Sequence, residues 1–404
     1  MVALHAYSAA GDDTASALER LALEFDTRPV GAASLAFLFY GCGHDDAAIL
    51  DFMAAHLPGT PLIGGTSSAG LLCSGRHRDG RSIGLLVVED EPGFYGVAAA
   101  SLGEDPSATA RRLLLSALDN AGCPGELPDL VWVYQSPGRE EQVVAGLRSV
   151  LEDSCPIIGG SAADDTVAGQ WRLASTEGPL AEGLAVAVLF PSGGIAYAYQ
   201  SGYRPTGTAG VVTRLAAAAT PAAPESRRIL EIDGRPAAEV YNEWLAGLLD
   251  DRMATGGSIL AQTTMHPLAV EAGRISGIPQ YLLVHPDAIG EGGSLETFAE
   301  VALGARLELM TGSEALLIER AGKVALDAAA RLPGGAESLA GGVLVYCAGC
   351  SMAVGDGMPA VAKAISRSFE ARPYLGCFTF GELGQIVGRN RHGNLMISAI
   401  AFGR

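Results

Sequence analysis

Positive charge is scarce in this sequence. Lys and Arg number 27 against 45 Asp and Glu, a formal balance of −18. A surface that follows a phosphate backbone needs basic residues in excess and gathered into a patch, and the few basic pairs here extend into none. Nucleic acid and anionic membrane are therefore not expected as partners. Long apolar runs are missing too. The longest clear one, 184–190, falls far short of the about 18 residues a spanning helix requires. The N-terminal MVALHAYSAAGDD has no basic start and no apolar stretch, so it does not read as a secretory signal, and the expected compartment is the cytoplasm. The seven cysteines are an odd number, and most sit in apolar surroundings (Cys42, Cys73, Cys347, Cys377), as reduced, buried thiols do.

Several catalytic signatures are absent as well. There is no P-loop, no GxGxxG after a strand, no HExxH and no CxxCH. GTSSAG at 65–70 contains serines but is not G-x-S-x-G. What the chain does have is apolar bulk, 49% of 404 residues with only 18% charged. That composition builds large cores and excludes wholesale disorder, and the length points to two domains of roughly 200 residues each.

The chain also repeats itself. PLIGGTSSAG begins at Pro61, PIIGGSAADD at Pro156 and PYLGCFTFGEL at Pro373. Upstream of each lies a short β-branched and aromatic run closing on Tyr: LAFLFY to Tyr40, LVWVY to Tyr134 and GVLVY to Tyr346. Helical patterns separate the two, with Ile49, Phe52 and Met53, then Val143, Val144 and Leu147, then Val361, Ile365 and Phe369 on one face. Another strand follows each copy: IGLLVV, GLAVAVLF and LMISAIAF. One strand-helix-strand-turn-strand unit thus occurs three times. It cannot bury its faces alone, so the copies must stack. The expected fold class is α/β with mixed β-sheets covered by helices, in two domains. Gly64-Gly65 and Gly159-Gly160 read as Gly-Gly turns that reach positive φ and let another backbone or a ligand come close. RLAAAATPAAPE, 214–225, is the low-complexity stretch and the linker candidate, dividing 1–213 from 226–404.

The motif order resembles that of a known family. PLIGGTSSAG and PIIGGSAADD in the first half, with ILEIDGRPAAEVYNEWL, MHPLAV, GARLELMTGS, VLVYCAGCSMAVG and YLGCFTFGELG in the second, are similar to FIST sensory proteins, FIST N and FIST C regions in tandem. The resemblance implies a bacterial, cytoplasmic signal-transduction module that binds a small ligand and is not an enzyme. Some stand-alone members bind haem and sense nitric oxide, passing the signal to a separate histidine kinase or cyclic-di-GMP enzyme. For others, small metabolites such as amino acids are proposed as ligands. The last strand ends close to Arg404, so no fused output domain is expected, and any signal would pass to a partner in trans.

Candidate residues follow from the repeat and from the resemblance. A crevice lined by the glycine corners would bring Gly64, Gly65, Thr66, Ser67, Gly159, Gly160 and Ser161 to a ligand, with Phe380, Gly381 and Glu382 from the third copy. Glu382 suits a ligand amine, or equally caps backbone N–H groups. Cys347-x-x-Cys350 has no further zinc ligands nearby, and because Cys347 ends a strand it lacks the helix-start setting of a reactive pair; Cys350 is kept as a ligand contact. For haem b, held non-covalently, His44 in the loop after the first repeat strand and His392 in the turn before the last strand are the axial candidates. A Cys- or Ser-dependent enzyme is the remaining alternative.

Overall fold

The computed structural model describes residues 1–216 and 227–404. Most of the linker candidate 214–225 therefore lies outside the described residues; its first two residues end the Arg204–Leu215 strand. The fold is mixed α/β, with several mixed sheets.

Each sequence repeat is the middle of a larger unit. In the first, the strands Ala3–Ala10, Ser82–Glu89, Leu35–Tyr40 and Leu62–Thr66 lie side by side, with the last pair parallel and the others antiparallel. The second orders Phe94–Ala100, Leu184–Phe190, Leu130–Gln135 and Ile157–Ser161 in the same way. The third repeats it with Ile195–Ser201, Met396–Gly403, Leu339–Cys347 and Tyr374–Thr379. The central strands read as unbroken apolar runs because both faces are covered; every residue of Leu35–Tyr40 and of Leu130–Gln135 is buried.

The sequence pattern did not reveal a short hairpin that lies, in chain order, between the third and fourth strands of each unit (after Leu62–Thr66, Ile157–Ser161 and Tyr374–Thr379). That hairpin pairs with a neighbouring unit instead of its own. The hairpin of Gly70–Cys73 and Arg76–Asp79 joins Tyr374–Thr379 of the third unit. That of Leu173–Ser175 and Gly178–Leu180 joins Leu62–Thr66 of the first. That of Glu382–Ile386 and Arg389–Gly393 joins Ile157–Ser161 of the second. The exchange runs from one to three, three to two and two to one, so the three sheets close into a ring. Their inner faces share a core in which Phe37, Trp132 and Phe402, one ring from each unit, meet edge to face at 5.3 and 6.4 Å.

Helices cover the outer faces. Thr14–Thr27 and Asp46–His56 pack on the first sheet, Pro106–Asn120 and Glu140–Leu151 on the second, Glu314–Ala330 and Met358–Ser368 on the third. Their starts are written in the sequence. Asp105 caps Ala108 N–H with Pro106 at the first helical position, and Ser313 caps Leu316 N–H. Among the described residues no helix is long and apolar enough to cross a membrane.

The third unit carries an insertion. The described residues 204–216 and 227–311 leave after Ile195–Ser201 and return before Glu314–Ala330; they form a nine-stranded sheet with a core of its own on one face, while Ala269, Leu282, Leu283 and Met310 join the core of the third unit. The TFAEVALGARLELM run is irregular over 298–305 and becomes a strand only at Arg306–Thr311.

The paired glycines are not turns. Gly64 and Gly65 lie inside Leu62–Thr66, and Gly159 and Gly160 inside Ile157–Ser161. Gly64 and Gly159 have φ of 158° and 145°, and a Cβ there would stand 1.8 Å from Leu38 O and 1.9 Å from Val133 O. They let two parallel strands close on one another, a strand use of glycine that a sequence pattern reads as a turn.

Candidate functional site

The ends of the third strands converge where the three units meet, and backbone hydrogen bonds tie them together. Thr66 O accepts from Tyr134 Oη at 2.7 Å and from Ala163 N–H at 3.3 Å. Ser161 N–H donates to Gly381 O at 2.9 Å and Ser161 O accepts from Phe380 N–H at 3.1 Å, while Ser68 N–H donates to Phe378 O at 3.3 Å. Gly64, Gly65, Thr66 and Ser67 are thus spent on this junction; Ser67 Oγ donates to Gly70 O and accepts from Phe378 N–H. A Cβ at Gly65 would meet Arg172 O and one at Gly160 would meet Gly381 O, so these glycines close the interior.

The space opens beside the junction, where the inserted sheet lies against the second and third units. A cavity of about 290 Å³ is bounded on the ring side by Glu140, Trp171, Cys347 and Phe380 and on the insertion side by Arg227, His285 and Phe298. Trp171 and Phe380 stand perpendicular at 6.2 Å and form a corner.

A buried ionic network forms its polar side. Glu140, 3% exposed, opens the helix Glu140–Leu151 and accepts from Gly138 N–H at 3.0 Å and Ser161 Oγ at 2.7 Å. Arg227, just before the Arg228–Ile232 strand, donates through Nη2 to Glu140 Oε2 at 2.8 Å and also to Glu141 Oε2. Glu141 Oε1 accepts from Glu300 N–H at 2.9 Å and lies 2.8 Å from His392 Nδ1. Burial alone would raise both carboxyls, but His392 and Arg227 facing them reverse the sign and hold both below the usual range. Glu140, Glu141 and His392 bring potential metal-ligand atoms within 4.8 Å of one another, but Arg227 already supplies the cation there.

Other predicted residues sit behind the wall. Glu382 is fully buried, with Oε1 2.8 Å from Thr379 Oγ1 and Oε2 accepting from Met396 N–H at 3.0 Å. Burial, with Cys347 beside it, pushes its carboxyl well above the usual range, which favours the neutral acid. Cys347 ends its strand and is also the N-cap of Ala348–Val354, so the CxxC does open a helix, contrary to the sequence reading. Yet burial pushes the Cys347 thiol well up, the opposite of an activated cysteine. Cys350 is fully buried, its Sγ 3.6 Å from Tyr203 Oη. Gly381 packs on His392, where a Cβ would stand 2.5 Å from Nε2. Of the predicted contacts, Phe380 lines the cavity, and Ser161 reaches it through Glu140.

The two haem candidates lie apart from each other and outside the apolar cavity. His44 belongs to a separate, polar groove of about 510 Å³ with Cys42, Asp46 and Arg172, and its Nδ1 lies 3.3 Å from Thr14 Oγ1. His392 lies in the strand Arg389–Gly393, not in a turn; Nδ1 faces Glu141 and Nε2 is buried against Gly381. Neither offers a ring nitrogen to the apolar cavity, whose volume is at the small end for ligand pockets. The histidine that does line it is His285, whose Nε2 lies 3.1 Å from Thr263 Oγ1 and which burial pulls down to about 3, an uncharged imidazole.

Sequence reasoning missed Glu140, Arg227, Trp171, His285 and Phe298. They come from four separate loops and a helix start, and no shared motif links them. The available signal was His285-Pro286 after an apolar run.

A model described as the FIST N domain matches residues 34–235, and one described as the FIST C domain matches 237–385. The chain belongs to the FIST family. FIST domains are associated with sensory signal transduction and small-ligand binding. The border between the FIST N and FIST C matches falls within the inserted sheet, so both contribute to the ring. No curated protein matches this FIST chain. Among solved structures it is similar to a cyanuric acid hydrolase from A. caulinodans at 11% identity and TM-score 0.36, over 100% of both chains. A second cyanuric acid hydrolase shows 13% identity and TM-score 0.28, over 69% of this chain and 85% of that one. PurLQS from Thermotoga maritima shows 12% identity and TM-score 0.21, over 99% and 72%. At these scores none bears on what the FIST chain does.

Proposed function

We propose that this FIST protein is a bacterial cytoplasmic sensor that takes a small metabolite into the cavity between ring and inserted sheet and signals to a separate protein. One observation carries the reading. The cavity walls come from two parts of the fold, the insertion (Arg227, His285, Phe298), which has a core on one face and shares the third unit's core on the other, and the ring (Glu140, Cys347, Phe380). Occupancy therefore bears on how the two parts sit together, which is what a sensor needs. The output partner is a histidine kinase or a cyclic-di-GMP enzyme acting in trans, and the ligand is expected to change that enzyme's rate when this protein is added to it.

The test is thermal. A ligand specific to the folded state raises the melting temperature in proportion to its saturation, and Phe380→Ala, which removes one wall, is expected to abolish the rise. A metabolite screen with no stabilising compound, or one whose effect survives Phe380→Ala, would count against the cavity.

Haem with nitric oxide is not the reading carried forward, because the histidine nitrogens and the cavity size do not suit it. Added haemin is expected to give no saturable one-to-one Soret band; a band that saturates and shifts with nitric oxide would restore that reading. The cysteine-enzyme alternative requires a thiolate, and burial opposes one at Cys347. Iodoacetamide at neutral pH is expected to label Cys347 slowly, and rapid labelling would reopen the enzyme reading.

A further inference from the structure

The hydrogen-bonding groups around the cavity are unevenly spent, and the imbalance describes the ligand. Glu140 is the carboxylate on the wall, and its oxygens already accept from Gly138 N–H, Ser161 Oγ and Arg227 Nη2. A ligand amine would have to displace one of these partners. Arg227 is used at one end only. Nη2 holds both Glu140 and Glu141, whereas Nη1 makes no hydrogen bond among the described residues and Nε is buried without a partner. On the same cavity Asn394, 2% exposed, has its Oδ1 fixed by His285 N–H at 3.3 Å, which assigns the amide orientation. Its Nδ2 has no partner among the described residues. The unspent groups are thus mainly donors, and each buried donor without an acceptor costs free energy that a ligand oxygen would recover.

Charge decides what kind of acceptor fits. Glu140 and Glu141 stand against one guanidinium, so with His392 neutral the cluster sums to −1 and with His392 protonated to zero. It is never positive. An anionic head group would gain Arg227 Nη1 but face two carboxylates behind it, and the chain as a whole carries −18. His285 is uncharged, and Trp171, Phe298, Phe380, Leu260 and Met352 supply apolar surface.

We infer that the ligand is an uncharged, largely apolar molecule carrying an oxygen acceptor, such as a carbonyl, that docks on Arg227 Nη1. This deepens the cavity reading and rests on it. A zwitterionic amino acid and a carboxylate fit the same space less well, the first for want of a free acceptor and the second for want of positive charge.

The experiment compares probes of one body and different heads by calorimetric titration of the full chain: phenylacetamide, phenylacetate, phenethylamine, phenylalanine and headless toluene. Phenylacetamide is expected to bind at least about tenfold more tightly than each of the others. A charged probe that equals or exceeds it overturns the inference while leaving the cavity in place, and so does toluene binding as tightly as the amide. If none of the five binds, the cavity reading falls with it. Arg227→Lys keeps a cation for Glu140 and Glu141 but removes Nη1. It is expected to weaken phenylacetamide about tenfold and leave toluene unchanged, and an unaltered amide affinity would overturn the role of Arg227. Should that variant not fold, the head-group comparison on the unaltered chain still decides.

Discussion

Glu382, just past a third strand, and Glu141, at the start of the helix Glu140–Leu151, are glutamates whose surroundings push them in opposite directions. Glu382 has two neutral partners and no cation, so burial favours its protonated form; Glu141 has Arg227 and His392, which favour its ionised form. Their effects on stability therefore run opposite ways with pH. The folded-state pKa of Glu382 is raised, so its contribution is full below the unfolded value of about 4.3 and is lost as pH rises toward the folded one. The pKa of Glu141 is lowered, so its contribution is full above that value and is lost as pH falls. Glu382→Gln, which imitates the neutral acid, is expected to be more stable than the unaltered protein at pH 8 and close to it at pH 4. Urea unfolding at both pH values checks this, and parallel stabilities would contradict a neutral Glu382. Gly159→Ala tests the strand role of the paired glycines. With a Cβ 1.9 Å from Val133 O and φ at 145°, a loss of about 3 kcal/mol or more is expected by denaturant titration.

The elements that matter most for the site are short. The helix Glu140–Leu151 places both its first residues under Arg227 and Glu300, and so fastens the inserted sheet to the second unit. Arg227→Ala leaves the buried Glu140 carboxylate and the partly buried Glu141 carboxylate without their guanidinium, which costs about 3–5 kcal/mol for a broken buried pair. The loss is expected to be local first. Hydrogen exchange in 294–301 of the insertion should rise more than in Leu130–Gln135 of the ring, and equal rises would argue against a fastening role. The hairpins show why element-level reading fell short. Gly178–Leu180 and Arg76–Asp79 are three- and four-residue strands with half-exposed or exposed side chains, too short and too polar to show a period.

At the scale of the whole molecule, closure of the ring makes the units interdependent. Phe37, Trp132 and Phe402 come from three sheets, so none is buried unless all three are assembled. Trp132→Ala is expected to cost about 3–5 kcal/mol and to keep a single cooperative transition for the ring. Circular dichroism following the sheets and the near-ultraviolet signal of the core should lose amplitude together, and a unit melting separately would contradict the closed arrangement. The sequence by itself determined the local elements, the triple repetition and the family. Runs such as LAFLFY and LVWVY, caps such as Asp105 and Ser313, and the order of the motifs are properties of neighbouring residues. Only the tertiary structure decided where the hairpins pair, that Gly64 and Gly159 lie within strands, and that Glu140, Arg227, His285 and Phe380 share a cavity. These depend on contacts between residues up to 306 positions apart (Leu71 with Cys377, 377 minus 71), and the side chains involved carry no mark of their partners until the ring has closed and the inserted sheet has settled against it.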